Sequence, residues 1–229
     1  CLVHHLRTTS ALKLFYGEIN PLSTDWDSLP VMTKSLYQRE GKRLISTDFL
    51  GKKLFTNSTS GASGVPMQFA KDQFCHALVW AHIINSYKRY GVEYGKSLQG
   101  RFYGMPVTSK VALLKERVKD LLSNRKRFSA HDLSPSARQN ILRSFRRKRY
   151  IYAYGYANTL SLFSRYILDE GVSIKDICPS LECVIFTSEM CTKEDRNVIE
   201  EAFGVKLYSE YGASELGVLA FEDDFGRLE

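Results

Sequence analysis

The sequence has no Cys-x-x-Cys pair, no apolar run approaching a membrane span, and no internal repeat or low-complexity tract. Each absence excludes a class. The cysteines Cys1, Cys75, Cys178, Cys183 and Cys191 are odd in number and scattered, which argues against a disulfide scaffold and for reduced cytosolic thiols. Cys178, Cys183 and Cys191 lack the tight-turn spacing of zinc ligands, so a zinc site is disfavoured. A bilayer-spanning helix needs about 20 predominantly apolar residues, and without them no membrane partner is expected. Cys1-Leu2-Val3 opens the chain with neither a methionine nor the basic-then-apolar layout of a signal peptide. The chain is therefore expected to be an excerpt of a longer, cytoplasmic polypeptide.

What is present is an ordinary globular composition. The 229 residues are 44% hydrophobic and 25% charged, enough for one large domain or two small ones around a substantial core. Lys and Arg number 32 against 25 Asp and Glu, a net charge of +7 that leans loosely toward anionic partners. Residues 1–50 read as a helical lead-in, broken at Asn20-Pro21 and Leu29-Pro30, with Thr33 capping a helix. Residues 51–149 hold two short strands around a glycine-rich loop, followed by helices. One runs from Lys71 to Tyr90 with Phe74, Leu78, Ala81, Ile84 and Tyr87 on one face; another is opened by Ser134-Pro135. His76 and His82, six residues apart in the first of these, read as packing or surface residues rather than paired ligands.

Residues 150–229 alternate between periods. Strands are expected at 150–154, 182–187 and 205–208, with a helix from Thr159 to Glu170 and another capped by Thr192 and closed by Gly204. Strand, helix, strand, helix, strand with short connections predicts an α/β fold: a doubly wound, largely parallel sheet flanked by helices. Sites in such sheets gather at the carboxyl ends of the strands.

Two stretches carry candidate chemistry. In Thr59-Ser60-Gly61-Ala62-Ser63-Gly64-Val65-Pro66, glycines let backbone N–H groups turn inward and the hydroxyls add donors, which suits a phosphate cradle. A flexible Ser/Gly turn between two strands is the plain alternative. The loop has no Gly-Lys-Ser/Thr ending, so a kinase-type P-loop is disfavoured. At the end of the last expected strand, Tyr211-Gly212-Ala213-Ser214-Glu215 offers a ring for a base and a carboxylate for a divalent cation. Its alternative is a polar loop. The runs Arg125-Lys126-Arg127 and Arg143 to Arg149 could meet nucleic-acid phosphates, although a solvated helix end is the simpler account and nucleic acid is not the favoured partner.

Together, the two stretches resemble the paired signatures of the adenylate-forming (AMP-binding) enzyme superfamily, which includes acyl-CoA synthetases and other AMP-forming ligases. Thr187-Ser188-Glu189 resembles the adenine-side turn of the same enzymes. Leu29-Pro30-Val31-Met32-Thr33-Lys34, Phe128-Ser129-Ala130-His131-Asp132-Leu133-Ser134 and Tyr154-Gly155-Tyr156-Ala157-Asn158 are similar to segments of its phenylacetate–CoA ligase-like branch. Within that branch, the capsular polysaccharide biosynthesis (CapK-type) and coenzyme F-390 synthetase-like members look nearest. The resemblance implies ATP-dependent activation of a small carboxylic acid to an acyl-adenylate, with ATP/AMP, magnesium and CoA as cofactors and a homodimer as a candidate assembly.

It also implies roles. Thr59, Ser60, Gly61, Ser63 and Gly64 would hold the departing phosphates; Ser188, Glu189, Tyr211 and Gly212 would line the adenine side. Ser214 would contact the α-phosphate as a catalytic residue, and Glu215 would be catalytic through bound magnesium. Tyr154, Tyr156, Phe102 and Tyr103 could line an aromatic acid pocket or serve as core. The sequence departs from relatives in carrying Met67 where a basic residue often follows the loop, and Glu222 to Arg227 in place of Cys and His ligands. The family's ribose-binding aspartate and lid lysine are not among these residues, so the chain is expected to be an incomplete N-terminal core that is inactive alone.

Overall fold

A computed structural model describes residues 2–17, 24–59, 66–104 and 110–229. The chain divides into two compact units, Cys1–Trp80 and Ala81–Glu229.

In the first unit, helices α1 (Leu2–Thr8), α2 (Ser10–Tyr16) and α3 (Lys34–Glu40) precede an antiparallel hairpin of β1 (Phe55–Ser58) and β2 (Gln68–Lys71). Thr33 caps α3 as expected, its hydroxyl accepting the Leu36 N–H at 3.3 Å. The hairpin is extended by Thr59. Its N–H donates to the Met67 carbonyl at 2.9 Å, and its hydroxyl oxygen accepts the Met67 N–H at 3.0 Å. Helix α4 (Gln73–Arg89) begins in this unit, where the Asp72 carboxylate accepts the N–H groups of Phe74 and Cys75. His76 stacks on Phe55 with ring centroids 4.2 Å apart, a packing role.

The second unit is built on a six-stranded sheet. Its strands are β3 (Gln99–Phe102), β4 (Arg125–Phe128), β5 (Tyr152–Tyr156), β6 (Cys183–Thr187), β7 (Lys206–Ala213) and β8 (Gly217–Phe221), in the order β4-β3-β5-β6-β7-β8. All neighbours are parallel except β7 and β8. The connections run through α5 (Lys110–Leu122), α6 (Pro135–Arg147), α7 (Ala157–Asp169), the short α8 (Ile174–Ile177) and α9 (Lys193–Phe203). The α/β class with a mostly parallel sheet is as the sequence predicts. Strands β3, β4 and β8 are additions, and β7 continues to Ala213 rather than ending near Tyr208.

Alternation along the strands sorts the core into two layers. Ala153, Val184, Phe186 and Leu207 face helices α6, α7 and α9, where Leu142, Phe145, Leu160, Phe163 and Phe203 are almost wholly buried. Tyr152, Tyr154, Cys183, Ile185 and Tyr208 face the other way, toward Tyr87, Tyr90 and Phe221. Full burial of a Val, Leu, Ile or Phe side chain here is worth about 1.5–3 kcal/mol. Cys178 packs in the first layer and Cys183 in the second, so the sheet separates them and they share no metal site. Helix α4 buries Ser86 and Tyr87 at its end, whereas Phe74 and Leu78, expected on its buried face, are exposed.

Local signals act as their chemistry requires. Ser134 accepts the Ala137 N–H, Thr192 accepts the Asp195 N–H, and Gly204 takes the left-handed φ of 66° that closes α9. Gly155 has a different reason to be glycine: a Cβ there would lie 2.6 Å from the Phe102 carbonyl oxygen on β3. The missing side chain lets β3 and β5 pair.

Candidate functional site

From β3 the chain crosses through α5 to β4 on one side, then returns through α6 to β5 on the other. The carboxyl ends of β3 and β5 are therefore a topological switch point, where open α/β sheets form their crevices. Arg101 on β3 is in register with Tyr154 on β5. Its guanidinium lies 4.7 Å from the Tyr154 ring centroid and 4.6 Å from that of Tyr103. Tyr103 stacks on Tyr156 at 4.4 Å. Arg101 is half-buried, and its hydrogen bond to Gln99 is long, at 3.4 Å. A cation held between aromatic faces with donors to spare is suited to receive an anion.

Behind this group sits a buried carboxylate. Glu210, on the same face of β7 as Tyr208, accepts the Tyr87 hydroxyl at 2.7 Å and the Tyr154 hydroxyl at 3.1 Å. Burial first, and the Glu210 charge second, push both phenols well above their ordinary range. They stay protonated at neutral pH and act as donors. Tyr156 is pushed up too, by burial and then by its contact with Tyr103. Of the aromatics expected to form either a pocket or core, Tyr154 packs in the core with its hydroxyl on Glu210, and Phe102 is wholly buried on the opposite face.

The expected adenine-side residues fall on adjacent strand ends. Thr187 on β6 is in register with Glu210 on β7, so Ser188-Glu189 leave β6 beside Tyr211-Gly212, which continue β7 in its pairing with β8. Ser188 takes a left-handed φ of 68°, turning the chain sharply. The Glu189 carboxylate accepts the Asn158 N–H at 2.9 Å, capping the first turn of α7 and complementing its dipole. Tyr211 is 58% exposed, leaving ring surface for a flat ligand.

Gly212 lies at a register shift in the β7–β8 pair, and a Cβ there would approach the Gly217 carbonyl oxygen to 2.4 Å. The glycine is required by strand pairing alone. Ser214 and Glu215 occupy the turn between β7 and β8; Ser214 is exposed, and Glu215 is partly buried with no hydrogen bond or ion pair among the described residues. A free carboxylate of this kind fits magnesium, which takes one or two carboxylates and completes its shell with phosphate and water. Among the described residues no three His, Cys, Asp or Glu side chains gather into a metal-binding group.

Of the expected phosphate loop, Thr59 is described, and its hydroxyl hydrogen remains to be donated after its oxygen accepts from Met67. Ser60, Gly61, Ser63 and Gly64 lie outside the described residues. Sequence reasoning missed Arg101 and Glu210. A strand-parity argument would have found Glu210, because it shares the inward side of Tyr208.

No protein-family model and no curated protein sequence matches the chain. Solved structures do. An open conformation of 2-hydroxyisobutyryl-CoA ligase in complex with 2-HIB-AMP and CoA superimposes with a TM-score of 0.67 at 14% identity, covering 96% of this chain and 50% of that one. The same ligase in its thioesterification state gives 0.66 at 15% identity, over 97% and 49%. A malonyl-CoA ligase ternary product complex with methylmalonyl-CoA and AMP gives 0.52 at 13%, over 75% and 35%. The chain thus has the fold of AMP-forming CoA ligases and spans about half the length of the 2-hydroxyisobutyryl-CoA ligase it matches.

Proposed function

We propose that this chain is the core portion of an AMP-forming acid ligase, which joins a carboxylic acid to AMP, releases pyrophosphate, and passes the acyl group to CoA or another acceptor. The observation that carries the reading is Tyr211 to Glu215 at the carboxyl edge of a sheet with this fold, following the hydroxyl-rich loop in chain order. Adenylation asks little of a protein acid or base. It needs donors and positive charge where charge gathers on phosphorus. Thr59, Ser60, Gly61, Ser63 and Gly64 supply donors to the departing phosphates, Ser214 supplies one to the α-phosphate, and Tyr211 supplies a face for adenine. Glu215 would hold magnesium, which when bound would neutralise phosphate charge.

Arg101 is assigned the charge of the acid's carboxylate, because its guanidinium stands at the switch point between two rings with unused donors. Glu189, engaged at the start of α7, shapes the adenine side by holding the turn rather than by free charge. The segment resemblances assign the acid to capsular polysaccharide or aromatic acid metabolism, in the CapK-type and phenylacetate–CoA ligase-like branch.

ATP–pyrophosphate exchange over a panel of aliphatic and aromatic acids tests this in a longer polypeptide that carries the chain, since the chain spans about half the length of the ligases it matches. The expected result is acid-dependent exchange that Glu215→Ala lowers about 10²-fold, the scale of losing one electrostatic stabiliser. Undiminished exchange in that variant removes Glu215 from the mechanism, and no exchange with any acid counts against the ligase.

A further inference from the structure

The basic runs read from the sequence have different fates in the fold. Arg125 and Arg127, on edge strand β4, are neutralised by α5: Arg125 Nε donates to Asp120 Oδ1 at 2.5 Å, and Arg127 Nη2 donates to Glu116 Oε2 at 2.7 Å and to Asp120 Oδ1 at 2.8 Å. Arg146, Arg147, Lys148 and Arg149 are exposed and form no ion pair among the described residues. All four line a cavity of about 520 Å³, whose other wall is the 177–182 segment, including Ser180 and Glu182.

This cavity opens at the amino ends of β5 and β6, the edge of the sheet opposite the switch point. The negative end of α6 and the Glu182 carboxylate offset part of the positive charge. A helix end is equivalent to about half a unit charge, so the four cations retain a surplus of roughly 2.5 charges after both. The solvated-helix-end account explains one or two cations here and leaves the rest unmatched. The wall opposite is rigid: Ser180 donates to the Tyr150 carbonyl at 2.8 Å, and Cys178 is buried beneath it.

We infer that this cavity is an anion site for a phosphate-bearing ligand with at least two phosphate groups. Its volume falls in the range of small-ligand sites. Three of its cations are arginines, whose planar forks engage phosphate oxygens in pairs. Phosphates concentrate two or more charges within one such cavity, whereas carboxylates along a peptide spread one charge per residue. The phosphates come either from a free polyphosphorylated metabolite or from a nucleic-acid backbone. The site does not depend on the ligase reading.

The test is titration of the chain with inorganic tripolyphosphate and, separately, with a labelled single-stranded RNA ten-mer, each at 50 and 200 mM salt. Arg147→Gln/Arg149→Gln is compared with Arg125→Gln/Lys126→Gln, with far-UV circular dichroism to confirm folding. The expected result is binding of at least one probe, weakened tenfold or more by the first pair and less than twofold by the second. Four phosphate contacts on a single strand give a salt slope near −3, hence about a 50-fold loss across that range. Tripolyphosphate binding with the same arginine dependence identifies a free metabolite as the source, and RNA binding without it identifies a backbone. No binding of either probe, equal binding by Arg147→Gln/Arg149→Gln, or equal loss in the Arg125 pair overturns the site.

Discussion

Removing the Glu210 carboxylate is expected to damage the fold more than any other single change at the carboxyl edge. Glu210 is buried and accepts two phenol hydroxyls, from Tyr87 at 2.7 Å and Tyr154 at 3.1 Å. Hydrogen bonds to a charged group are worth about 1.5–3 kcal/mol each, and truncating one partner leaves the others desolvated and unpaired. Glu210→Ala orphans two phenols at once and is expected to cost about 3–5 kcal/mol. Tyr87→Phe removes one bond and leaves Tyr154 in place, for about 1.5–2 kcal/mol. Glu210→Gln keeps one acceptor oxygen and costs about 1–2 kcal/mol.

Urea unfolding of the three variants, with the Tyr87→Phe/Glu210→Gln double mutant, measures these values and their coupling. Neighbours in one network couple by about 0.5–3 kcal/mol. Additivity within about 0.3 kcal/mol, or a Glu210→Ala cost under about 1 kcal/mol, would refute the reasoning. The phenols add a pH signature. Their folded pKa values are raised above the unfolded value near 10. Their stabilising contribution is therefore complete below about pH 10 and is lost as pH rises toward the folded values. Ultraviolet titration should show Tyr87 and Tyr154 ionising only as the domain unfolds.

Three further outcomes follow from the geometry. Arg101→Leu should cost about 1–2 kcal/mol of stability, from two lost ring contacts and one long hydrogen bond, and raise KM for the acid in pyrophosphate exchange about tenfold or more; an unchanged KM removes Arg101 from acid binding. Gly155→Ala would drive a Cβ into the Phe102 backbone and should cost about 2–3 kcal/mol by thermal unfolding, more than Gly100→Ala, whose nearest neighbour is the ring edge of Phe145 at 3.1 Å. Hydrogen bonds from Lys119 and then Arg127 hold the Glu116 carboxyl down at about 2. Its contribution, about 1–2 kcal/mol after screening, is complete above the unfolded value near 4.3 and fades as pH falls toward 2. Glu116→Gln should flatten that part of an acid-unfolding curve.

The contrast between what could and could not be read from the sequence has a physical cause. Caps and stops are chemistry within one turn, so Thr33, Ser134, Thr192 and Gly204 announce themselves. Strands β5 and β6 are buried on both faces and read as apolar or aromatic runs, and Leu207 and Tyr208 continue the pattern into the buried part of β7, which marks the α/β class. Strand β4 breaks that rule: Arg125-Lys126-Arg127-Phe128 looks like a solvated basic run, yet it pairs with β3 as an edge strand whose arginines meet Glu116 and Asp120 of α5.

The site divides along the same line. Tyr211 to Glu215 is local, and its residues stay together however the chain folds. Glu210 precedes them by one residue, yet its partners lie 123 and 56 positions away, at Tyr87 and Tyr154. Arg101 likewise becomes a site residue only through register with Tyr154 across the switch point. A motif can therefore locate the edge where a ligand binds, while the charge behind that edge is set by strand order. The same logic separates the two basic runs. Their compositions are alike, and only the acidic face of α5 neutralises one and leaves Arg146 to Arg149 with charge to spend on a ligand.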